Sequence, residues 1–426
     1  MRVLLTGATG MIGSALVERL MRDGHEVVLF VRDAAAAESR WPGARVVPGA
    51  FGDSIDWAAH LRGIDVVINA AGVFGTRAGQ TLDAVHVKGP VALFRAAVDA
   101  GVGRIVQISA LGAEPSRPEP HLSTKGRADA ELATLPIRSS IVRPSLVFSV
   151  DSPSTQWFAA LALLPLTPLP AGGVQQVQPV HVDDLCDAVV RVAVMPQPPS
   201  SVDAVGPHAL TLRDYLSTLK RGLGGCGGLI SVPAGLLAVA SRLFGRFSSW
   251  LSPASLSMLT AGSAAPSDGI ARVLGHAPRD AASFVHDGNR AALRRDAALQ
   301  WLRPLLRGSL IVLWMWTAVV SAFVYPRDAS LALLARTGLH GQAAVVALYG
   351  AAALDFVLGA MLLFPSWRRA SYSAQLLLIA FYTVVITWCL PGYWAHPYGP
   401  ILKNLPLLAA IALARELDTP HGRRRR

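Results

Sequence analysis

The octapeptide TGATGMIG sets Gly7, Gly10 and Gly13 directly after an apolar run and at the start of a helical pattern. Glycines at this spacing permit a tight turn and a close backbone approach to a pyrophosphate, which then sits on unpaired N–H groups at the positive end of a helix dipole. Thr9, Met11 and Ile12 complete the expected phosphate-facing loop. FVRD then places Arg32 and Asp33 at the end of the second apolar run. A carboxylate there takes the ribose 2′-hydroxyl of NAD, whereas a guanidinium matches the 2′-phosphate of NADP in charge and fork geometry. Arg32 comes first, so NADP is preferred, although Asp33 can still turn inward. Asp53 in GAFGDS, and Asn69, Ala70, Ala71 and Gly72 in INAAG, fall where the adenine and the central part of such a cofactor lie.

A second segment, HLSTKGRADAEL, puts His121 four residues before Lys125. An imidazole, of ordinary pKa about 6.5, is driven toward its neutral form by a neighbouring ammonium. Neutral imidazole still donates one N–H to a carbonyl, so general-acid work is open to it; the competing reading is a pocket-lining histidine that moves no proton. Ser123 and Thr124 are weaker stand-ins, because an unperturbed hydroxyl is a poor acid. Further on, HVDD predicts a helix capped by Asp183 or Asp184 rather than a catalytic cluster. Cys186, Cys226 and Cys389 lie far apart without metal-ligand spacing, so neither a metal site nor a disulfide framework is expected.

The positioning elements are legible as alternation. Apolar runs RVLLTG, HEVVLFVR, ARVVPG, IDVVINAAG, RIVQISA and SSIVRPSLVF are separated by helical stretches such as SALVERLMRDG and GPVALFRAAVDAG, several ending in glycine. Apolar strands alternating with helices predict a parallel sheet covered on both faces, a doubly wound α/β fold. We assign residues 1–150 to a dinucleotide-binding domain and 151–300 to a smaller substrate-side subdomain with Pro-rich turns. GLGGCGG at 222–228 follows a helical pattern and lacks a Lys-Ser/Thr ending, so it reads as a helix terminus leading to LISVP rather than a phosphate loop.

Residues 301–426 have a different character. Of the 426 residues, 52% are hydrophobic and only 16% charged, too apolar for an ordinary soluble chain. Apolar segments near 309–325, 342–364, 370–390 and 400–415 approach the roughly 20 residues needed to cross a bilayer, the last one short. A four-helix transmembrane bundle follows. Arg294, Arg295, Arg303 and Arg307 precede the first segment, Arg368 and Arg369 separate the second from the third, and an Arg tail follows the fourth. The positive-inside rule makes all three sites cytoplasmic, consistent with an even number of crossings. The net charge of +11 is therefore read as topology signalling and attraction to anionic lipid, with no nucleic-acid partner. MRVLLTGATG shows no signal-peptide pattern, so the first domain is expected in the cytoplasm. Asp355 sits mid-span, with His396, Lys403 and Asn404 as possible partners, either as a buried structural pair or along a polar path.

Taken together, TGATGMIG, INAAG, ISALGA, the Lys125 segment, RPSLVF and VQPVHVDDL resemble the extended and atypical short-chain dehydrogenase/reductases over about residues 1–300. The likeness is to their epimerase-like branch, which includes the NADP-binding accessory subunit of respiratory complex I. LDFVLGAML and HPYGPILKNLP resemble the DoxX-like membrane family over about 305–415. The first resemblance implies a serine together with a Tyr-x-x-x-Lys pair as the reacting groups. Ser109 matches the serine, Lys125 the lysine that also holds the nicotinamide ribose, and His121 stands in the tyrosine slot. It also places Arg143, Pro144 and Ser145 near the nicotinamide. The expectation is a multi-pass protein of a bacterial inner membrane, with its N-terminal domain and C-terminal tail cytoplasmic. As an oxidoreductase or epimerase it would act on an isoprenoid, quinone or lipid-linked sugar. The alternative is a non-catalytic NADP-binding scaffold or redox sensor that supports assembly of other membrane proteins.

Overall fold

The computed structural model describes residues 1–73, 81–233 and 263–418, with positions 235, 236 and 239 besides. The chain divides into two compact units, Met1–Ala297 and Ala298–Arg426.

In the first unit, six strands form where the apolar runs predict them: β1 (Arg2–Thr6), β2 (Glu26–Val31), β3 (Arg45–Pro48), β4 (Val66–Asn69), β5 (Arg104–Ile108) and β6 (Ser139–Pro144). A seventh strand, Ser201–Ala204, comes from beyond residue 150 and pairs in parallel with β6. The order is Ser201–Ala204, β6, β5, β4, β1, β2, β3, with every pairing parallel. Helices α1 (Met11–Arg22), α2 (Ala34–Arg40), α3 (Trp57–Leu61), α4 (Gly89–Asp99) and α5 (Pro120–Thr134) supply the crossovers. Residues on opposite strand faces, such as Leu4 and Leu5 or Val67 and Ile68, are all fully buried, as a sheet sandwiched between helices requires. Each such side chain contributes roughly 1.5–3 kcal/mol relative to exposure. Strand order reverses between β1 and β4, and the crevice beyond their carboxyl ends is where sheets of this kind bind ligands.

The substrate-side region packs Phe148, Phe158, Tyr215 and Phe284 into its own core. The helix Leu212–Gly222 ends in the glycine run, and Gly228–Val232 then pairs with Leu166–Pro170, so GLGGCGG is a helix terminus. HVDD differs from expectation. His181, not an aspartate, caps the helix Val182–Val194, its Nδ1 accepting from the Asp183 N–H at 3.2 Å. Asp183 and Asp184 are drawn away by Arg279, whose side chain reaches Asp183 at 2.6 Å and whose backbone N–H donates to Asp184 at 2.7 Å. Residues 254–262, in the run that begins ASLSM, lie outside the described residues.

Among the described residues, three helices are long and apolar enough to cross a membrane: Asp287–Val324, which begins before the second unit, then Gly341–Met361 and Arg368–Cys389. The fourth, Asn404–Asp418, has 15 residues, or about 22 Å at 1.5 Å per residue against a hydrocarbon core of about 30 Å. A short helix, Arg327–Ala335, was not foreseen because it interrupts the span pattern with charge. Asp418 accepts from the Tyr372 hydroxyl at 2.9 Å and pairs with Arg307 at 3.2 Å. Those contacts bring the middle of the first long helix, the start of the third and the end of the last helix together. Trp316, Phe323, Leu377 and Trp388 are exposed, an apolar exterior suited to lipid. Asp355 is buried, and two of its expected partners are engaged elsewhere. Asn404 donates to Thr383 Oγ1 at 2.9 Å, and His396 Nδ1 accepts from the Tyr398 N–H at 3.3 Å. Lys403 is exposed. The Arg tail, 423–426, lies outside the described residues.

Candidate functional site

The loop after β1 is built so that only glycine fits. Gly7 has φ +71°, and a Cβ there would lie 2.5 Å from the Ala70 carbonyl oxygen and 2.6 Å from the Ala71 nitrogen. A Cβ on Gly13 would drive into the Gly7 carbonyl. Gly10 closes the turn by donating its N–H to Gly7 O at 2.9 Å. Thr9 and Gly10 are exposed at the mouth, and Met11 and Ile12 are half-buried in the opening turn of α1. That helix has no side-chain cap and no acidic residue in its first turn, leaving its N–H groups and dipole to an incoming anion.

At the end of β2 the two candidate readers separate. Asp33 accepts from the Ala36 N–H at 2.9 Å as the N-cap of α2. Arg32 is exposed and makes no hydrogen bond or ion pair among the described residues. Asp53 lies exposed in the turn after β3, accepting from the Ala50 N–H at 3.0 Å. Ala70, Ala71 and Gly72 follow β4 against the glycine loop, and Asn69 is buried beneath them. Its Oδ1 accepts from Thr6 Oγ1 at 2.5 Å and its Nδ2 donates to Gln107 Oε1 at 2.7 Å.

Helix α5 and the end of β5 carry the residues expected to react. Lys125 Nζ donates to the Ile108 carbonyl at 2.9 Å, and a Cβ on Gly72 would lie 3.5 Å from that nitrogen. Lysine, cofactor loop and strand end therefore converge. Burial brings the Lys125 ammonium down to about 8, against the upward pull of Asp129. Ser109, 3% exposed, donates its hydroxyl to Asp129 Oδ2 at 2.5 Å. His121 is buried, and burial lowers its pKa. Glu119 opposes that shift, while Lys125 and Arg117 add to it. Arg143 at the end of β6 reaches Asp129 at 3.9 Å. Pro144 is buried beside it, and Ser145 turns away to donate to Gln178 O at 2.5 Å.

Two participants, Asp129 and His86, were not among the expected site residues, and Thr124 takes a different part. Asp129 sits one helical turn after Lys125, and that spacing was an available signal. Thr124, set aside as a weak acid, serves instead to hold His86. The His86 Nδ1–H donates to Thr124 Oγ1 (2.8 Å), whose hydroxyl donates to Pro120 O (2.7 Å), while His86 Nε2 accepts the Val73 N–H at 3.0 Å. Only the fold brings His86 here; nothing in its neighbours advertises it. Burial, then the charges of Lys125 and His121, drive its pKa to about 3. The His86 ring resonances should therefore stay flat from pH 8 down to 5 in a histidine-selective NMR titration, and a midpoint near 6.5 would contradict this arrangement.

Residues 7–160 match the NAD(P)H-binding family and residues 311–412 the DoxX-like family. A 3-diazoavenalumate denitrifying reductase of a Streptomyces species is 31% identical over 284 residues, covering 58% of this chain and 88% of that protein. The chain belongs to the NAD(P)H-binding Rossmann family. Its DoxX-like domain follows in the same polypeptide. The ceramide reductase of Caulobacter vibrioides is 31% identical over 197 residues, covering 46% of this chain and 61% of its own. An uncharacterised protein of Mycobacterium tuberculosis is 32% identical over 228 residues, 52% of this chain, which spans only 23% of that relative's length. The fold is shared with a Bacillus cereus UDP-glucuronic acid 4-epimerase, solved with UDP-glucuronic acid and NAD. That likeness has a TM-score of 0.53 and 16% identity, and covers 69% of this chain and 99% of the epimerase.

The glycine cradle that any Cβ would fill fits the dinucleotide of this NAD(P)H-binding protein. Gly7, Gly10 and Gly13 would receive its pyrophosphate and Lys125 its nicotinamide ribose. When bound, the cofactor supplies or accepts a hydride. Asn69, pinned between Thr6 and Gln107, fixes the end of β4, and His86 fixes the loop behind it.

Proposed function

We propose that the chain is a membrane-tethered NADP-dependent reductase that takes a hydrophobic carbonyl substrate presented at the bilayer surface. The observation that carries the cofactor choice is the division of labour at β2. Asp33 is committed to capping α2, while Arg32 is left exposed for a 2′-phosphate. Three apolar helices in the same chain, and a relative named for reducing ceramide, support a lipid-like substrate. The meeting of Arg307, Tyr372 and Asp418 supports a cytoplasmic face there, in a bacterial inner membrane, by the positive-inside rule.

Calorimetry on the detergent-purified chain tests the cofactor. NADPH should bind more tightly than NADH, and Arg32→Ala should weaken NADPH about tenfold or more, in keeping with the loss of a charged hydrogen bond, while leaving NADH unchanged. Equal binding of both nucleotides would overturn the NADP assignment. Activity is tested by NADPH oxidation with farnesal, decylubiquinone and a long-chain 3-ketone in mixed micelles.

Two observations favour a second reading, a nucleotide-binding scaffold for other membrane proteins: Ser109 spends its hydroxyl proton on Asp129, and His121 stands where a tyrosine would react. Under that reading Ser109→Ala with His121→Ala leaves the cellular phenotype intact, while Gly10→Asp removes it.

A further inference from the structure

Behind the reacting groups lies a carboxyl that the fold has taken out of water. Asp129 is 3% exposed and one turn beyond Lys125 on α5. Its Oδ2 holds the Ser109 hydroxyl at 2.5 Å, and its Oδ1 is buried with no hydrogen-bond partner among the described residues. A buried ionised carboxylate normally fills its lone pairs, and leaving one oxygen bare is costly unless the carboxyl is neutral, with its proton on the paired Oδ2. The tyrosine that would deliver a proton is replaced by His121, which burial holds neutral. Ser109 alone is too weak an acid.

We propose that Asp129 is a positioning residue that resupplies the Ser109 proton, so that a Ser109–Asp129 relay does the acid work left open by His121. This rests on the reductase reading. The substrate carbonyl receives a hydride at carbon, at the expense of a reduced nicotinamide. The carbonyl π pair takes the Ser109 Oγ proton, and the Asp129 Oδ2–H, 2.5 Å from Oγ, breaks to reprotonate it. The products are an alcohol and a carboxylate, the latter facing Lys125 on its own helix, Arg143 on β6, Gln107 on β5 and Ser109 just after it. Solvent returns the proton between turnovers. Burial raises the Asp129 pKa, and the Ser109 bond, Lys125, Arg143 and Gln107 oppose the rise. Burial thus lets the carboxyl hold its proton to higher pH than an exposed aspartate, and the carboxylate left after transfer is the form those neighbours accept.

The test reads the carboxyl directly, in the full-length protein without nucleotide. Infrared difference spectra titrated from pH 4 to 9 should show a protonated-carboxyl C=O band that survives above about pH 5, where an ordinary aspartate is ionised. The band should vanish in Asp129→Asn and shift in frequency in Ser109→Ala. In a parallel arm, kcat for NADPH-dependent reduction of the micellar probes should drop about 100-fold in Asp129→Asn, with KM little changed. The fall of kcat at rising pH should be lost in that variant, and Asp129→Glu should restore part of both. Absence of a band sensitive to Asp129→Asn above about pH 5, or full activity in a folded Asp129→Asn, overturns the relay while leaving the reductase reading standing. A wild-type protein that binds NADPH yet reduces no probe overturns the reductase reading and the relay with it.

Discussion

Gly13→Val is expected to abolish measurable NADPH binding, a loss of at least 100-fold in Kd or about 2.7 kcal/mol. The reason is steric and local. A Cβ at Gly13 collides with the carbonyl of Gly7, which is itself pressed against the Ala70–Ala71 backbone at φ +71°. The strain cannot be passed to a flexible side chain, because backbone lies on every side. It must move either the turn or the start of α1, the two parts that together face the pyrophosphate. Calorimetric titration with NADPH checks the binding, and circular dichroism checks that the fold remains. Unaltered affinity in a folded variant would remove the glycine cradle as the nucleotide site.

The second large effect is a divergence between stability and activity at Lys125. Its folded pKa is lowered to about 8 from 10.5, so between those values the unfolded chain holds a proton that the folded chain has released. Stability from this group therefore rises with pH across that window, and the cost of the buried ammonium is felt below it. Activity is expected to move the other way, since the proposed ribose contact and the stabilisation of the Asp129 carboxylate in the proposed relay both need the ammonium. Lys125→Met should retain or raise the melting temperature at pH 7 while lowering turnover about 100-fold. Thermal unfolding at pH 7 and 10, with probe turnover at each, reads both quantities; a variant that melts lower and works normally would refute the account.

The cofactor end of the site is legible in the chain because its requirements are local. Gly7, Gly10 and Gly13 lie within one loop, Arg32 and Asp33 are adjacent, and the six apolar runs appear in the sheet as β1 to β6. The proposed NADP preference needed one fact that sequence withholds: which neighbour is consumed by a helix cap. The reacting end is less legible, since its polar contacts join residues far apart. Ser109 and Asp129 are 20 positions apart and His86 and Thr124 are 38. The same limit explains HVDD, where Arg279, nearly a hundred residues away, draws off both aspartates and leaves the cap to His181. In the bundle, apolar length was visible, whereas the pairing of Asn404 with Thr383 rather than Asp355 depended on helix rotation.

The strand Ser201–Ala204 has a consequence for how the chain is made. Until it is synthesised, β6 is an open parallel edge with Ile141 and Val142 ready to pair with another molecule. A fragment ending near residue 150 would keep the whole glycine loop and still be prone to aggregate. The strand nevertheless precedes the first membrane span in the order of synthesis. On the ribosome, at about 5–20 residues per second, the sheet can seal its edge before apolar helices compete for the same exposed backbone.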